Sequence, residues 1–110
     1  MQTNKNVSAP DYQEDAPTIE EVQASSGTLL LEFGTPWCGH CQAAQSIIAS
    51  ALLSHPEIKH IKVYDGKGKK LGRIFKVKLW PSLILLRNGQ ELGRLVRPQD
   101  TAGINLLLSK

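Results

Sequence analysis

Apolar residues along the chain fall into runs and periodic sets that predict alternating strands and helices. Residues 28–33, TLLLEF, form an almost continuous apolar run between two glycines, interrupted by Glu32, which is typical of a strand buried on both faces. Residues 41–55 carry apolar side chains at helical spacing and predict a helix that ends near Pro56. The alternation over residues 58–65 predicts a second strand.

The second half of the chain adds a hairpin and two more helices. Residues 82–96 are two apolar runs around Asn88-Gly89, a strong hairpin signal, and residues 99–110 predict a terminal helix. With a short helix near residues 16–27, the order of elements implies an α/β fold in which helices flank a central mixed β-sheet on both faces. A further short helix over 71–77 would bury Leu71, Ile74 and Phe75.

The length of 110 residues and the hydrophobic content of 41% predict a single domain with its own core. Residues 1–16 are polar, with only Val7 and Tyr12 as candidates for burial, so we predict a flexible N-terminal arm or a weak edge strand before a domain over 17–110. The polar start and the lack of a long apolar run lead us to expect a soluble, cytoplasmic protein without a membrane partner.

The charge pattern gives little reason to expect a nucleic-acid partner. The net charge is +3, from 13 Lys and Arg against 10 Asp and Glu, and the two signs are interspersed. The densest basic stretch, residues 65–73, is interrupted by glycines and has no interleaved aromatic residues, so we interpret it as a solvated loop.

Both cysteines of the chain lie in PWCGHCQ, residues 36–42, where the first predicted strand meets the following helix. A thiolate, not a thiol, attacks a disulfide. Unpaired backbone N–H groups at the helix start, the helix dipole and a protonated His40 would stabilise a Cys38 thiolate. Cys41 lies three residues later on the same face, so we predict Cys38 as the nucleophile and Cys41 as a more buried resolving thiol.

Two other interpretations of the cysteine pair remain open from the residues alone. A metal site would need three or four ligands, but there is no second pair of cysteines and both His55 and His60 are isolated in the sequence. Simple packing of two small side chains at a helix start would not require the neighbouring tryptophan, glycine and histidine. We therefore expect redox chemistry and no metal.

The stretch LLLEFGTPWCGHCQ resembles the active-site strand and helix start of the thioredoxin superfamily, and its CGHC form is similar to that of protein disulfide isomerase catalytic domains. WPSLILLRNGQELGRLV resembles the same superfamily's cis-proline segment and final hairpin, at a matching distance from the cysteines. The resemblance covers residues 17–110. It implies a thioredoxin fold whose redox centre is the Cys38–Cys41 disulfide, with no bound cofactor.

The resemblance also assigns roles to residues outside the cysteine motif. Pro81 falls on the cis-proline position, where the preceding residue offers its backbone to an extended substrate. Glu32 falls on a buried carboxylate that takes the proton of the resolving thiol, and burial in a central strand is expected to raise its pKa. Lys62 matches a lysine that pairs with that carboxylate, with a solvated strand lysine as the alternative.

Several positions depart from the family pattern. Gly34 stands where an aromatic residue is usual, which predicts more open surroundings for the dithiol. Trp80 precedes Pro81 and, together with Trp37, would offer an apolar surface to substrate. Arg97 lies next to the site of an arginine that tunes the resolving cysteine in disulfide isomerases, and a plain surface arginine is the alternative.

Together these features predict a thiol-disulfide oxidoreductase that exchanges disulfides with protein or peptide substrates and with an electron-donating or electron-accepting thiol partner. Gly39 and His40, between the cysteines, would modulate the dithiol; His40 favours the reduced form and hence a higher reduction potential. We expect a monomer. The alternative is a thioredoxin-like binding module with little or no redox turnover.

Overall fold

A computed structural model describes residues 11–110 of the chain. Residues 1–10, which include most of the predicted arm, lie outside the described part, so the predicted boundary at residue 17 stays a prediction. The elements in chain order are α1 (Ile19–Ala24), β1 (Thr28–Gly34), α2 (Gly39–Leu53), β2 (Lys59–Tyr64), α3 (Lys70–Ile74), β3 (Ser82–Arg87), β4 (Gln90–Val96) and α4 (Thr101–Leu108).

The four strands form one sheet in the order β2-β1-β3-β4. Strands β1 and β2 are parallel and are joined through α2, whereas β3 pairs antiparallel with both β1 and β4. The mixed sheet and the terminal hairpin confirm the predicted fold class. The central position of β1 explains its continuous apolar run, because both faces of this strand are covered.

Alternate residues of the central strands pack into two separate hydrophobic cores, one on each face of the sheet. One face of the sheet packs against α2 and α4, through residues such as Leu30 and Ile48. The other face packs against α1 and α3, through residues such as Leu31 and Val22. Helices therefore cover both faces, and the face beneath α2 is the one on which Glu32 also lies, two residues after Leu30.

The hairpin between β3 and β4 turns at Asn88 and Gly89, whose φ angles are 50° and 82°. Two successive positive φ angles are what a two-residue hairpin turn with the twist of the flanking strands requires. The Asn88 side chain also accepts a hydrogen bond from the Gly27 backbone N–H at 2.8 Å, which fastens the turn to the start of β1.

The predicted burial of α3 is wrong for one residue. Leu71 is buried and Phe75 packs against the same core, but Ile74 is 47% exposed. The helix is only five residues long, and the chain leaves it through Lys76, whose φ is 58°. With so short a helix, only the pair at positions i and i+4 reaches the core.

The segment before α1 joins the edge of the sheet. Gln13 forms a parallel bridge with Val63 of β2, with its N–H 2.9 Å from the Lys62 carbonyl. The side chain of the neighbouring residue, Tyr12, is buried, with only 8% of its surface exposed. Within residues 11–110, no helix has the length and apolar character needed to span a membrane.

Candidate active site

The strand-to-helix junction places Cys38 at the N-cap of α2. Its Sγ accepts a hydrogen bond from the Cys41 backbone N–H at 3.2 Å, so an otherwise unpaired amide of the first turn points at the sulfur. Both cysteines are free thiols; Cys38 is 9% exposed and Cys41 only 1%. The sulfur at the helix start is thus the one that a substrate can reach.

Burial sets the chemistry of the second cysteine. Burial and, after it, the neighbouring Cys38 raise the pKa of Cys41, while hydrogen bonds with Thr35 and Tyr12 lower it; the net pKa is about 12. Cys41 is therefore a protonated thiol at neutral pH, and it can act as a nucleophile only when a nearby group removes its proton.

Glu32 lies fully buried in the middle of β1 with three hydrogen-bond donors around its carboxylate. His60 Nε2 is 2.8 Å from Oε1, Gln45 Nε2 donates to Oε2 at 2.9 Å, and the Tyr12 hydroxyl donates to the same Oε2. Burial by itself would raise the pKa of Glu32, but these bonds and the charge of His60 outweigh it, so the pKa is lowered. The expectation of a raised pKa was wrong.

The expected pairing of Lys62 with Glu32 is also corrected. The two residues are register partners on β1 and β2, but the Lys62 ammonium donates to Gln45 Oε1 at 2.7 Å instead. It also lies over the ring of Tyr12, 4.6 Å from the ring centre. Lys62 is only 5% exposed, so it is not a solvated strand lysine either. Gln45 bridges the lysine to the carboxylate.

The open space expected beside Gly34 is filled. A Cβ atom on Gly34 would lie 2.6 Å from Cys41 Sγ and 2.9 Å from both Cζ and the hydroxyl oxygen of Tyr12. Tyr12, from the segment before α1, thus occupies the space next to the dithiol. It forms one buried cluster with Cys38 and Cys41. The glycine is required because the tyrosine and the buried thiol approach its backbone closely.

Trp80 packs against the two cysteines, and Trp37 packs on Trp80. Trp37 is 64% exposed and packs edge to face on Trp80, with ring centres 5.5 Å apart. Trp80 is fixed by a hydrogen bond from its indole N–H to Asp65 at 2.8 Å. The Trp80–Pro81 peptide bond is cis, and Pro81 is buried.

Three residues predicted to modulate the dithiol lie around its edge. Gly39 is the first residue of α2 with open space around its Cα, and His40 is exposed next to it. Arg97 is half-buried and its Nε donates to the Trp80 carbonyl at 2.8 Å. Arg97 therefore acts on the backbone before Pro81, and the hydrogen bonds of residues 11–110 include none between Arg97 and Cys41.

Sequence reasoning missed three members of the polar cluster beneath the dithiol: Tyr12, Gln45 and His60. Two of them carried a signal. His60 alternates with Lys62 on β2, so both point to the face shared with Glu32, and Gln45 lies one helical turn after Cys41. Tyr12 was a candidate for burial, but nothing in the sequence placed it at the dithiol, because its side-chain partners are all distant in sequence. Residues 11–110 contain no group of three or more His, Cys, Asp or Glu side chains placed to hold a metal ion.

Comparison with known proteins agrees with this geometry. The Thioredoxin family model matches residues 12–110, and the chain belongs to the thioredoxin family. Thioredoxin 2 from Pseudomonas aeruginosa PAO1, solved in its reduced form, is 45% identical, with a TM-score of 0.82 over 90% of this chain and 92% of that one.

Two curated relatives illustrate the breadth of the family. Thioredoxin H5 of Oryza sativa subsp. japonica is 30% identical over 79 residues, which are 72% of this chain and 58% of the rice protein, so the match spans less than two thirds of that relative. Protein disulfide-isomerase of Gallus gallus is 34% identical over 80 residues, 69% of this chain but 16% of the isomerase. Proteins of this family are disulfide oxidoreductases that act through a redox-active disulfide and need no bound cofactor.

Proposed function

We propose that this chain exchanges disulfides with protein substrates through Cys38 and Cys41. The observation that carries the proposal is the unequal placement of the two thiols. Cys38 Sγ accepts the Cys41 backbone N–H in the first turn of α2 and Cys38 keeps 9% of its surface exposed, whereas Cys41 is 1% exposed and lies near the Glu32 carboxylate cluster. One thiol is thereby arranged to meet substrate and the other to act within the protein.

The exchange proceeds in two displacements. The Cys38 thiolate attacks one sulfur of a substrate disulfide; the new sulfur–sulfur bond forms as the old one breaks, and the other substrate sulfur leaves as a thiolate that takes a proton from water. Cys41 then loses its proton and attacks Cys38 Sγ, which releases the second substrate sulfur. The substrate gains two electrons, and the protein is left with a Cys38–Cys41 disulfide.

A second thiol protein or a small thiol must restore the dithiol, because reduction of the Cys38–Cys41 disulfide takes two electrons and the sequence has no further cysteine to supply them. The same steps in reverse would oxidise a substrate dithiol. Direction therefore depends on the partner that supplies or removes electrons. We propose that His40, exposed in the first turn of α2, favours the reduced protein and so makes the disulfide a stronger oxidant.

The substrate would bind along the surface formed by Trp37, Trp80 and Pro81. Trp37 exposes most of its indole, and Trp80 is held rigidly by Asp65, so the surface presents apolar area at a fixed orientation beside Cys38. Arg97 occupies one lone pair of the Trp80 carbonyl and leaves the second for an extended peptide.

Reduction of insulin by dithiothreitol tests the proposal and separates it from a binding module. We expect the wild-type protein to accelerate insulin precipitation above the uncatalysed rate and Cys38→Ser to lose this activity. A wild-type protein that leaves the rate unchanged, yet still binds a substrate peptide at Trp37 and Trp80, would contradict the enzyme and support the binding module.

A further inference from the structure

Tyr12 lies between the resolving cysteine and the buried carboxylate, a position that the two-step exchange does not explain by itself. We propose that the Tyr12 hydroxyl relays the proton of Cys41 to Glu32 when Cys41 resolves the mixed disulfide. This inference rests on the proposed function, and it makes a residue before the first helix a member of the catalytic group.

The hydroxyl of Tyr12 is hydrogen-bonded to one end of the relay, and Tyr12 packs in one cluster with the other end, Cys41. It donates a buried hydrogen bond to Glu32 Oε2. On the other side, the hydroxyl oxygen and Cys41 Sγ lie 2.9 Å and 2.6 Å from one point, the position that a Cβ on Gly34 would take. The single hydroxyl hydrogen points to Glu32, and Gln45 Nε2 donates to the hydroxyl oxygen at 3.2 Å. A hydroxyl oxygen has two lone pairs, so one remains, and the relay assigns it to the hydrogen of the Cys41 thiol.

The surrounding protein fixes this arrangement. The Gln13 bridge to Val63 anchors the backbone next to Tyr12, and the Lys62 ammonium lies over the tyrosine ring. Gln45 Nε2 is 3.2 Å from the hydroxyl oxygen and 2.9 Å from Glu32 Oε2, which ties the two relay groups together.

The groups around Tyr12 set the protonation states in which the relay starts. The titratable side chains that face it or its partner are Glu32 from β1, Cys41 and Cys38 at α2, and His60, Lys62 and Tyr64 from β2. Burial, followed by the charge of Glu32, raises the pKa of Tyr12, so the hydroxyl stays protonated, and the lowered pKa of Glu32 keeps the carboxylate ionised and able to accept.

The step is balanced within the protein. As Cys41 Sγ bonds to Cys38 Sγ and the substrate thiolate departs, the Cys41 proton moves to the Tyr12 oxygen while the Tyr12 proton moves to Glu32. The carboxylic acid so formed then releases its proton to solvent, and the departing thiolate takes one up. Tyr12 gives up one proton and gains another, so its hydroxyl is protonated again at the end and is ready for the next turnover.

The test follows the two thiols of Tyr12→Phe separately. The reagent is an aromatic disulfide that releases coloured nitrothiobenzoate. The first kinetic phase, in which Cys38 attacks the reagent, has a rate that depends on reagent concentration. The second phase, in which Cys41 attacks Cys38 Sγ and displaces the second chromophore, has a rate that is independent of reagent concentration. We expect the first phase to be unchanged and the second to slow about tenfold or more at neutral pH. The second rate should also gain a rise with pH, because solvent base must then remove the proton.

Tyr64→Phe is the matched control, because Tyr64 packs against the same cluster while the hydrogen bonds of residues 11–110 include none from its side chain to Glu32. Both phases should match the wild type in this variant. A second phase unaffected in Tyr12→Phe would overturn the relay, as would equal slowing of both phases with an unaltered pH profile. A wild-type protein without any concentration-independent phase would instead overturn the proposed function itself.

Discussion

The carboxylate of Glu32 and the imidazole of His60 meet in the interior, with Oε1 and Nε2 separated by 2.8 Å. Neighbouring strands bring them together, and the imidazole is the largest influence that lowers the pKa of Glu32. A buried carboxylate is tolerated in the central strand because its oxygens are satisfied by His60, Gln45 and Tyr12. The cluster beneath the dithiol is therefore built to hold a charge.

The lowered pKa of Glu32 predicts a specific acid sensitivity. A carboxyl group whose pKa is lower in the folded state contributes stability that is present above its ordinary value of 4.5 and is lost as pH falls through the folded value. We expect the free energy of unfolding, measured with urea, to decline as the pH is lowered below 4.5 and through the folded-state pKa of Glu32. The decline should be shallower in Glu32→Gln.

Glu20→Gln is the control for this experiment, because Glu20 is an exposed carboxylate in the first turn of α1. Its acid sensitivity should match that of the wild type. An equally steep decline in Glu32→Gln would show that Glu32 is not the group responsible.

The close approach at Gly34 predicts that even a methyl group is harmful there. In Gly34→Ala the new Cβ would be forced against Cys41 Sγ and the Tyr12 ring. We expect a loss of about 1–3 kcal/mol in the free energy of unfolding, measured by denaturant titration. Gly39→Ala adds a Cβ with no atom within 4 Å, so its stability should be equal to or above that of the wild type. Equal stability of the two variants would contradict the described packing of Tyr12.

The hydrogen bond from Lys62 to Gln45 predicts that substitutions of these two residues have non-additive effects on the free energy of unfolding. Lys62→Met leaves Gln45 Oε1 without its buried partner, and Gln45→Leu leaves the ammonium without its acceptor. A double-mutant cycle on the free energy of unfolding should give a coupling of about 0.5–3 kcal/mol. Strictly additive losses would mean that this hydrogen bond contributes nothing.

The proposed role of His40 predicts how its replacement changes the reduction potential of the Cys38–Cys41 disulfide. If His40 has the proposed role, His40→Pro removes a group that favours the reduced protein, and the reduction potential measured in glutathione buffers should fall. His55→Gln, at the far end of α2, should leave the potential unchanged. An unchanged or higher reduction potential in His40→Pro would show that His40 does not favour the reduced protein.

Local pattern was enough to predict the fold and the dithiol. Apolar periodicity, the Asn88-Gly89 turn and the strand-to-helix position of Cys38 all depend on residues close in sequence, and the structure places these elements as expected. Ile74 was misjudged because the length of α3 decides which residues of its face reach the core.

The cluster beneath the dithiol could be predicted only in part. Burial of Glu32 followed from its strand, but the sign of its pKa shift depends on which donors surround it, and those come from three separate segments. Lys62 was expected at the carboxylate from the family resemblance, whereas the side chain of Gln45 lies between the two groups. Tyr12 could not be found, because no local pattern shows where a residue before the first helix will insert.

Trapping of a mixed disulfide tests the central claim most directly, the division of labour between Cys38 and Cys41. Cys41→Ser, incubated with a disulfide-bonded protein substrate and analysed by intact mass and peptide mapping, should accumulate an adduct linked through Cys38, and Cys38→Ser should accumulate none. Adducts of equal yield through Cys41 in Cys38→Ser, or no adduct in Cys41→Ser, would contradict the account.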